Sequence, residues 1–352
     1  MKNDAGSLRR WFPLGFAVLL GLCGAAAHAS AKWKPPLTEH KQPDLQGLWD
    51  IGTQTPFQRP TNLGEKRAYT EEEALEFERK ARAANAKLDA PIDLSKGAPQ
   101  VGGSIGQEAD MGSVERRHDL TRVNGEYRTS IIVDPPNGRI PVKKGFKDFY
   151  AQAAGKGIAP NDGPDTLDAS TRCLTPLPVP SIFPMPWSAY LQIVQTKDQV
   201  VLISEAPQHA RNVRLQGTHL KRDLRFWAGD SIGHWEGNTL VVHTTNFRPE
   251  QSFAFVLGLS EDFELTERFT RTGPDEVLYA FTIVDPNAFA APFSGERTIK
   301  RADPRDRMLE TACHEGNYAM TGILAGARKL ERDAAEKATS NSVSASSRDV
   351  NK

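Results

Sequence analysis

Three ionisable residues interrupt apolar, alternating runs: Glu205 after Val201 and Ile203, His243 between Val241 and Phe247, and Glu267 between Leu265 and Phe269. Residues two apart share one face of a strand, so these runs place two carboxylates and an imidazole on faces that read as buried. A carboxylate beside an imidazole raises its pKa and fixes its tautomer, which suits a general acid or base. His209 and Arg211, at the end of the Glu205 run, add a ring and a guanidinium able to hold a developing anion. The expected catalytic group is therefore His243 as base or acid, Glu205 or Glu267 as its partner, and Arg211 with His209 as anion stabilisers.

The same charges admit a structural reading. A buried carboxylate without a partner is costly, and Arg128, Arg211, Arg214 and Arg268 are available to neutralise one as an internal salt bridge. A β-bulge would instead turn one of the residues outward. His234, Trp235 and Glu236 flank a tight turn, where they either contact a ligand or decorate the surface. Trp187, Arg128 and His314 complete the expected ligand contacts, and Asp230 is placed to close the loop before its strand.

Strands must position these groups. Asn124-Gly125, Asn137-Gly138 and Gly237-Asn238 lie between strand-like runs and supply the positive φ angles of two-residue hairpins. Further strands are expected over 190–196, 200–205, 262–271, 276–285, 294–301 and 308–313. Thr70 and Glu73 form a capping box at the start of a surface helix, and 145–157 reads as a short helix. The Pro-rich stretch 173–187 suits neither helix nor central strand. The expected organisation is a signal over 1–29, an N-terminal strand, helix and long loop over 30–117, a β body over 118–317, and a helix with a disordered tail over 318–352.

Lys+Arg and Asp+Glu both total 44, so no basic excess exists to bind nucleic acid. No Gly-rich phosphate loop, Gly-x-Ser-x-Gly elbow or local metal-binding pair of histidines is present, so neither a cofactor nor a metal is expected. Distant His209, His243 and His314 are the remaining route to a metal. Arg9 and Arg10, the apolar run from Phe12 to Leu22, and Ala27-His28-Ala29 make up a secretory signal ending near Ser30. Arg9-Arg10-Trp11-Phe12 also resembles a twin-arginine core, while Leu22 before Cys23 does not make a lipobox. The mature chain is expected to be periplasmic or secreted, without a membrane span. The two cysteines that remain, Cys173 and Cys313, are expected to form a disulfide there.

The segments PDLQGLW, RTSIIVDPPNGRIP, GDSIGHWEGNTLVVHTTNF, ERFTR and CHEGNYAM resemble those of a large group of uncharacterised exported bacterial proteins. That resemblance covers most of the mature chain and implies export, but no particular reaction. Gly47-Leu48-Trp49, followed by a meander, is similar to the opening of lipocalin-like (calycin) barrels.

The expected fold is mainly β: an antiparallel meander forming a lipocalin-like barrel or a two-sheet sandwich, with a few peripheral helices. The expected function is cofactor-independent acid/base chemistry (isomerisation, elimination, hydration or cyclisation) on a small hydrophobic or amphipathic molecule in a barrel cavity. A carrier without turnover and an envelope interaction protein are the alternatives.

Overall fold

Turn chemistry sets two of the hairpins. Asn124 (φ 51°) and Gly125 (φ 85°) join β3 (Arg122–Val123) to β4 (Glu126–Arg128), and Gly237 (φ 58°) opens the turn between β9 (Asp230–Glu236) and β10 (Thr239–Thr245). Asn137-Gly138 behaves differently: it ends β5 (Ile132–Asp134) in a turn whose Gly138 carbonyl accepts from Arg59 N, with no returning strand. The computed structural model describes residues 33–88, 119–159, 161–174, 190–205, 209–251, 258–310 and 312–349. The expected signal, the 89–118 loop and most of the Pro-rich stretch, with Trp187, lie outside them.

The main sheet is a closed mixed barrel of nine strands. Around it run β1 (Gly47–Asp50), β6 (Tyr190–Gln195), β7 (Gln199–Ser204), β8 (His209–Arg214), β9, β10, β11 (Glu264–Gly273), β12 (Glu276–Val284) and β13 (Phe293–Arg301). β13 closes onto β1 through Trp49 opposite Arg301, and onto β5 at its other end. Every neighbouring pair in the barrel is antiparallel except β8 and β9, where Val213 lies opposite Ser231 in parallel. That pair departs from the expected pure meander. Parallel neighbours cannot be joined by a tight turn, so segment 215–229 must cross back along the wall before β9 begins.

Alternation fills the interior. Leu240, Val242, Leu265, Phe269, Val277, Tyr279, Phe281, Ile283, Phe293 and Ile299 all point inward and are buried; a fully buried side chain of this kind contributes about 1.5–3 kcal/mol. Gly295 is inward too, and a Cβ there would stand 2.4 Å from the Phe281 ring, so the glycine is what admits that ring. Trp49, fully buried, carries the Arg301 guanidinium 4.2 Å from its ring centre. A small sheet of β2 (Ala68–Tyr69), β4 and β3 lies against the outside of β13, tied by Thr298 N donating to Thr121 Oγ1 (2.9 Å) and by Arg128 on Glu296 (2.7 Å).

The three α-helices among the described residues are peripheral. α1 (Glu71–Leu88) begins with the expected capping box, Glu73 N on Thr70 Oγ1 at 3.2 Å and Thr70 N on Glu73 Oε2 at 2.8 Å. α2 (Phe149–Gly155) is capped by Asp148. α3 (Ala319–Asp349) continues through the Ser-rich stretch expected to be disordered, because that stretch contains no glycine or proline to stop it. Residues 308–310 form no strand; Asp303 and Asp306 organise a turn instead. Cys173 and Cys313 are joined, with Cα atoms 5.6 Å apart, across 140 positions of chain. Lys34–Lys352 make one compact unit, which includes β1 and α1 with the barrel strands. No described helix is long and apolar enough to cross a membrane.

Candidate functional site

The expected catalytic residues divide between the two sides of the barrel wall. Glu267 points inward and is fully buried; its Oε2 accepts from Arg211 Nη1 at 2.5 Å and its Oε1 from the Tyr279 hydroxyl at 2.9 Å. Arg211 Nη1 also reaches Thr244 Oγ1 (3.2 Å), which shares a hydrogen bond with Ser231 Oγ (2.8 Å). Arg297, opposite Tyr279 on β13, adds a second buried guanidinium whose pKa burial lowers to about 10. His209 shares the inward face of β8 with Arg211. Burial, and then Arg211, hold its pKa below the usual value, and its Nε2 has no hydrogen-bond partner among the described residues.

His243 and Glu205 do not join them. β7 directs Val200, Leu202 and Ser204 inward, so Glu205 shares the outer face with Val201 and Ile203, where its Oε1 accepts weakly from Leu309 N at 3.4 Å. On β10, Leu240, Val242 and Thr244 face inward and His243 faces out. The expected parity was anchored on Phe247, which is indeed buried, but Asn246 in the left-handed region (φ 58°) breaks the alternation between Thr245 and Phe247.

At the centre of the barrel, Val242, Glu267, Tyr279, Phe281 and Arg297 are all at most 2% exposed. A ligand inside the barrel would have to displace these side chains. Among the described residues this level of the barrel is filled by those side chains, and the half-exposed ionisable groups lie on the outer wall.

There His243 belongs to a connected series. Asp230 Oδ2 lies 2.9 Å from His219 Nδ1, His219 Nε2 lies 2.9 Å from His243 Nδ1, and His243 Nε2 lies 3.6 Å from Glu264 Oε2. The series crosses four elements: Asp230 opens β9, His219 sits on the 215–229 crossing segment, and His243 and Glu264 lie on neighbouring strands β10 and β11. Asp230, buried, also accepts from Arg214 Nη1 (2.7 Å) and Leu220 N (2.8 Å). Burial raises its pKa, but the hydrogen bonds from Arg214, Leu220 N and His219 outweigh that and hold it below the carboxylate norm. Arg222 bridges Glu264 (2.5 Å) and Asp262 (3.2 Å). His243 is about one-third exposed, and burial, then the adjacent His219 ring, hold its pKa below the usual value against the pull of Glu264.

The other expected site residues are apart from this series. His234 pairs with Glu236 at 3.1 Å on the exposed turn, and Glu236 also holds Arg268 at 2.7 Å. Trp235 packs its ring on the core, with Nε1 buried and unpartnered among the described residues. Arg128 is buried in ion pairs with Glu296 and Glu126 on the outside of β13, and His314 is exposed beside the disulfide. With His209 inside, His243 outside and His314 beside the disulfide, the three do not meet. Among the described residues no group of three or more His, Cys, Asp or Glu side chains is placed to hold a metal ion. His219 and Glu264 are the members of this series that the sequence reading missed, His219 because it stands in a segment with no strand or helix periodicity. No protein-family model matches this chain, and no curated protein matches it.

Proposed function

We propose that the protein is an exported, cofactor-independent enzyme that removes a proton from a small amphipathic molecule on the outer wall of the barrel, with His243 as general base. The observation that carries this reading is the hydrogen-bonded series Asp230, His219, His243, with Glu264 3.6 Å beyond its open end. An ionised carboxylate only accepts hydrogen bonds, so His219 donates from Nδ1 to Asp230 and, as a neutral ring, presents Nε2 as an acceptor. His243 must then donate from Nδ1, which leaves its lone pair on Nε2. The base is thus oriented by one ring and that ring by a buried carboxylate, the logic by which a positioned imidazole takes protons in acyl-transfer enzymes.

The lowered pKa of His243 leaves the ring unprotonated at neutral pH, as a base requires. Once a proton reaches Nε2, the new positive charge faces Glu264 and is backed through His219 by Asp230. Isomerisation, elimination and cyclisation share this step: a C–H or O–H bond breaks, its electron pair stays with the substrate, and the proton rests on Nε2 until it is returned. Leu220, Leu224 and Phe226 of the crossing segment are 43%, 46% and 39% exposed and offer apolar surface to an amphipathic substrate. The disulfide and the signal-like N-terminus support a periplasmic or secreted setting.

The test incubates the purified mature chain with a host small-molecule extract in D2O, beside a His243→Gln variant of matched circular dichroism. The expected result is a compound that is converted, or gains one deuterium, with the wild type alone. No conversion or labelling by the wild type, or equal labelling by the variant, overturns the proposal.

A further inference from the structure

A concave site whose lining includes neither His219 nor His243 lies between α2, the loop that precedes the disulfide and the end of the crossing segment. It encloses about 340 Å³. Trp227 forms one wall, with the guanidinium carbons of Arg172 and Arg248 at 5.8 and 5.5 Å from its ring centre. Tyr150 and Ile158 supply apolar surface opposite, the Tyr150 hydroxyl being spent on the Glu250 carbonyl at 3.0 Å. Burial, and then nearby carboxylates against Arg172, push that hydroxyl to about 12, so it stays neutral.

The charged groups of this pocket are only partly used. Arg172 Nη1 donates to the Asp165 carbonyl at 3.2 Å, and Arg248 Nη1 stands 3.7 Å from Glu250 Oε1, beyond a good hydrogen bond. Glu250 Oε2 is buried with no hydrogen-bond partner among the described residues. A buried carboxylate oxygen without a donor is costly, so it calls for a donor, while two guanidinium groups call for an acceptor. The placement is built into the fold. Asp168 accepts from Ser170 N and Thr171 N at 3.0 Å each, fixing the turn that presents Arg172, and the Cys173–Cys313 bridge anchors the next residue. Arg248 follows the Asn246 irregularity, its backbone N–H held on the Phe226 carbonyl at 3.2 Å.

We infer that this pocket binds a free α-amino acid with an apolar side chain. Its carboxylate lies between Arg172 and Arg248, its ammonium donates to Glu250 Oε2, and its side chain rests on Trp227, Tyr150 and Ile158. One ligand of this kind satisfies both signs of charge and the apolar wall together, which an anion alone or a neutral hydrocarbon does not. The site is independent of the proton-transfer reading, and its failure would leave that reading untouched.

Isothermal titration of the full mature chain with L-phenylalanine and L-leucine tests the assignment, together with N-acetyl-L-phenylalanine, which lacks the ammonium, and L-phenylalaninamide, which lacks the carboxylate. The expected result is saturable binding of at least one free amino acid, weakened tenfold or more by either modification. Glu250→Gln should weaken the free amino acid far more than the N-acetyl compound, and Arg172→Gln with Arg248→Gln should abolish binding. The modified ligands leave the protein intact, so they decide the matter even if a variant misfolds. No binding of either amino acid at millimolar concentration, or equal binding of the N-acetyl compound, overturns the inference.

Discussion

Replacing Glu267 with Gln would test how the barrel tolerates charge at its centre. The change keeps the shape and one carbonyl oxygen, so the Tyr279 hydroxyl retains an acceptor, but Arg211, 5% exposed, loses the anion that its Nη1 meets at 2.5 Å. Removing one partner of a buried pair leaves an uncompensated charge and costs about 3–5 kcal/mol. Tyr279→Phe should cost less, about 1.5–3 kcal/mol, since it removes one hydrogen bond to a charged acceptor and leaves the ion pair. The two changes share the contact between the Tyr279 hydroxyl and Glu267 Oε1 at 2.9 Å, so the double variant should fall short of the sum by about 1 kcal/mol or more. Equilibrium unfolding in urea, followed by the fluorescence of buried Trp49, reads all three differences. A Glu267→Gln loss below about 1 kcal/mol would refute the reasoning, because Arg211 would then be drawing its stabilisation from elsewhere.

Gly295→Ala forces a Cβ into the Phe281 ring and against the Ile131 carbonyl (2.4 and 2.9 Å), so thermal melts should report a loss of about 1–3 kcal/mol or more, part of which Phe281→Leu restores. Asp230→Asn removes the anion that holds Arg214, His219 and Leu220 N; we expect about 2–3 kcal/mol in urea unfolding, and nitrogen-15 spectra in which His243 no longer keeps a single neutral tautomer. His209 and His243 both have folded pKa values below their unfolded value of 6.5, so the unfolded chain binds protons more readily. Their contribution is present above pH 6.5 and is lost as pH falls below it and through the folded values. The urea midpoint should therefore drop between pH 7.5 and 5.5, and less steeply in His243→Gln; Asp230, also depressed, titrates below this window. Reducing the Cys173–Cys313 bridge, which closes a loop of 140 positions, should cost about 5 kcal/mol on the chain-entropy account, measurable as a shift of the melt with and without reductant.

The sequence makes Glu267 legible and hides His243 for the same physical reason. In β11 each inward apolar residue is followed by a polar one (Leu265, Thr266, Glu267, Arg268, Phe269), so alternation assigns the faces and an inward carboxylate stands out. In β7 and β10 the runs Val200-Val201-Leu202-Ile203 and Leu240-Val241-Val242 are apolar on both faces. Parity then has nothing local to fix it, and one left-handed residue, Asn246, is enough to carry the wrong answer from Phe247 back to His243. Two of the three hairpin turns, the capping box, the barrel and the disulfide are readable because each depends on local chemistry or on pairing by elimination, whereas Asn137-Gly138 makes a turn without a hairpin. The single parallel pair is not readable, since strand order is a property of the closed sheet.

That parallel pair also explains where the candidate site lies. Around a closed antiparallel barrel, successive strands are joined at the rims and the outer wall is left to side chains alone. Between β8 and β9 the direction does not reverse, so the chain must travel the length of the wall to begin again. The crossing segment must be fastened there, and its fastenings are polar: Asn246 Nδ2 donates to the Leu220 and Lys221 carbonyls at 3.3 and 3.0 Å, and Asp230 takes Leu220 N and His219. Polar groups that fasten a loop to a half-exposed wall are shielded enough to shift their pKa values and open enough to meet a small molecule. The interior charges fail the second condition, since Glu267 and Arg297 touch no solvent. The irregularity in strand direction thus does for this barrel what a switch point does for an open α/β sheet: it brings chain segments that are distant in sequence together over one patch of surface.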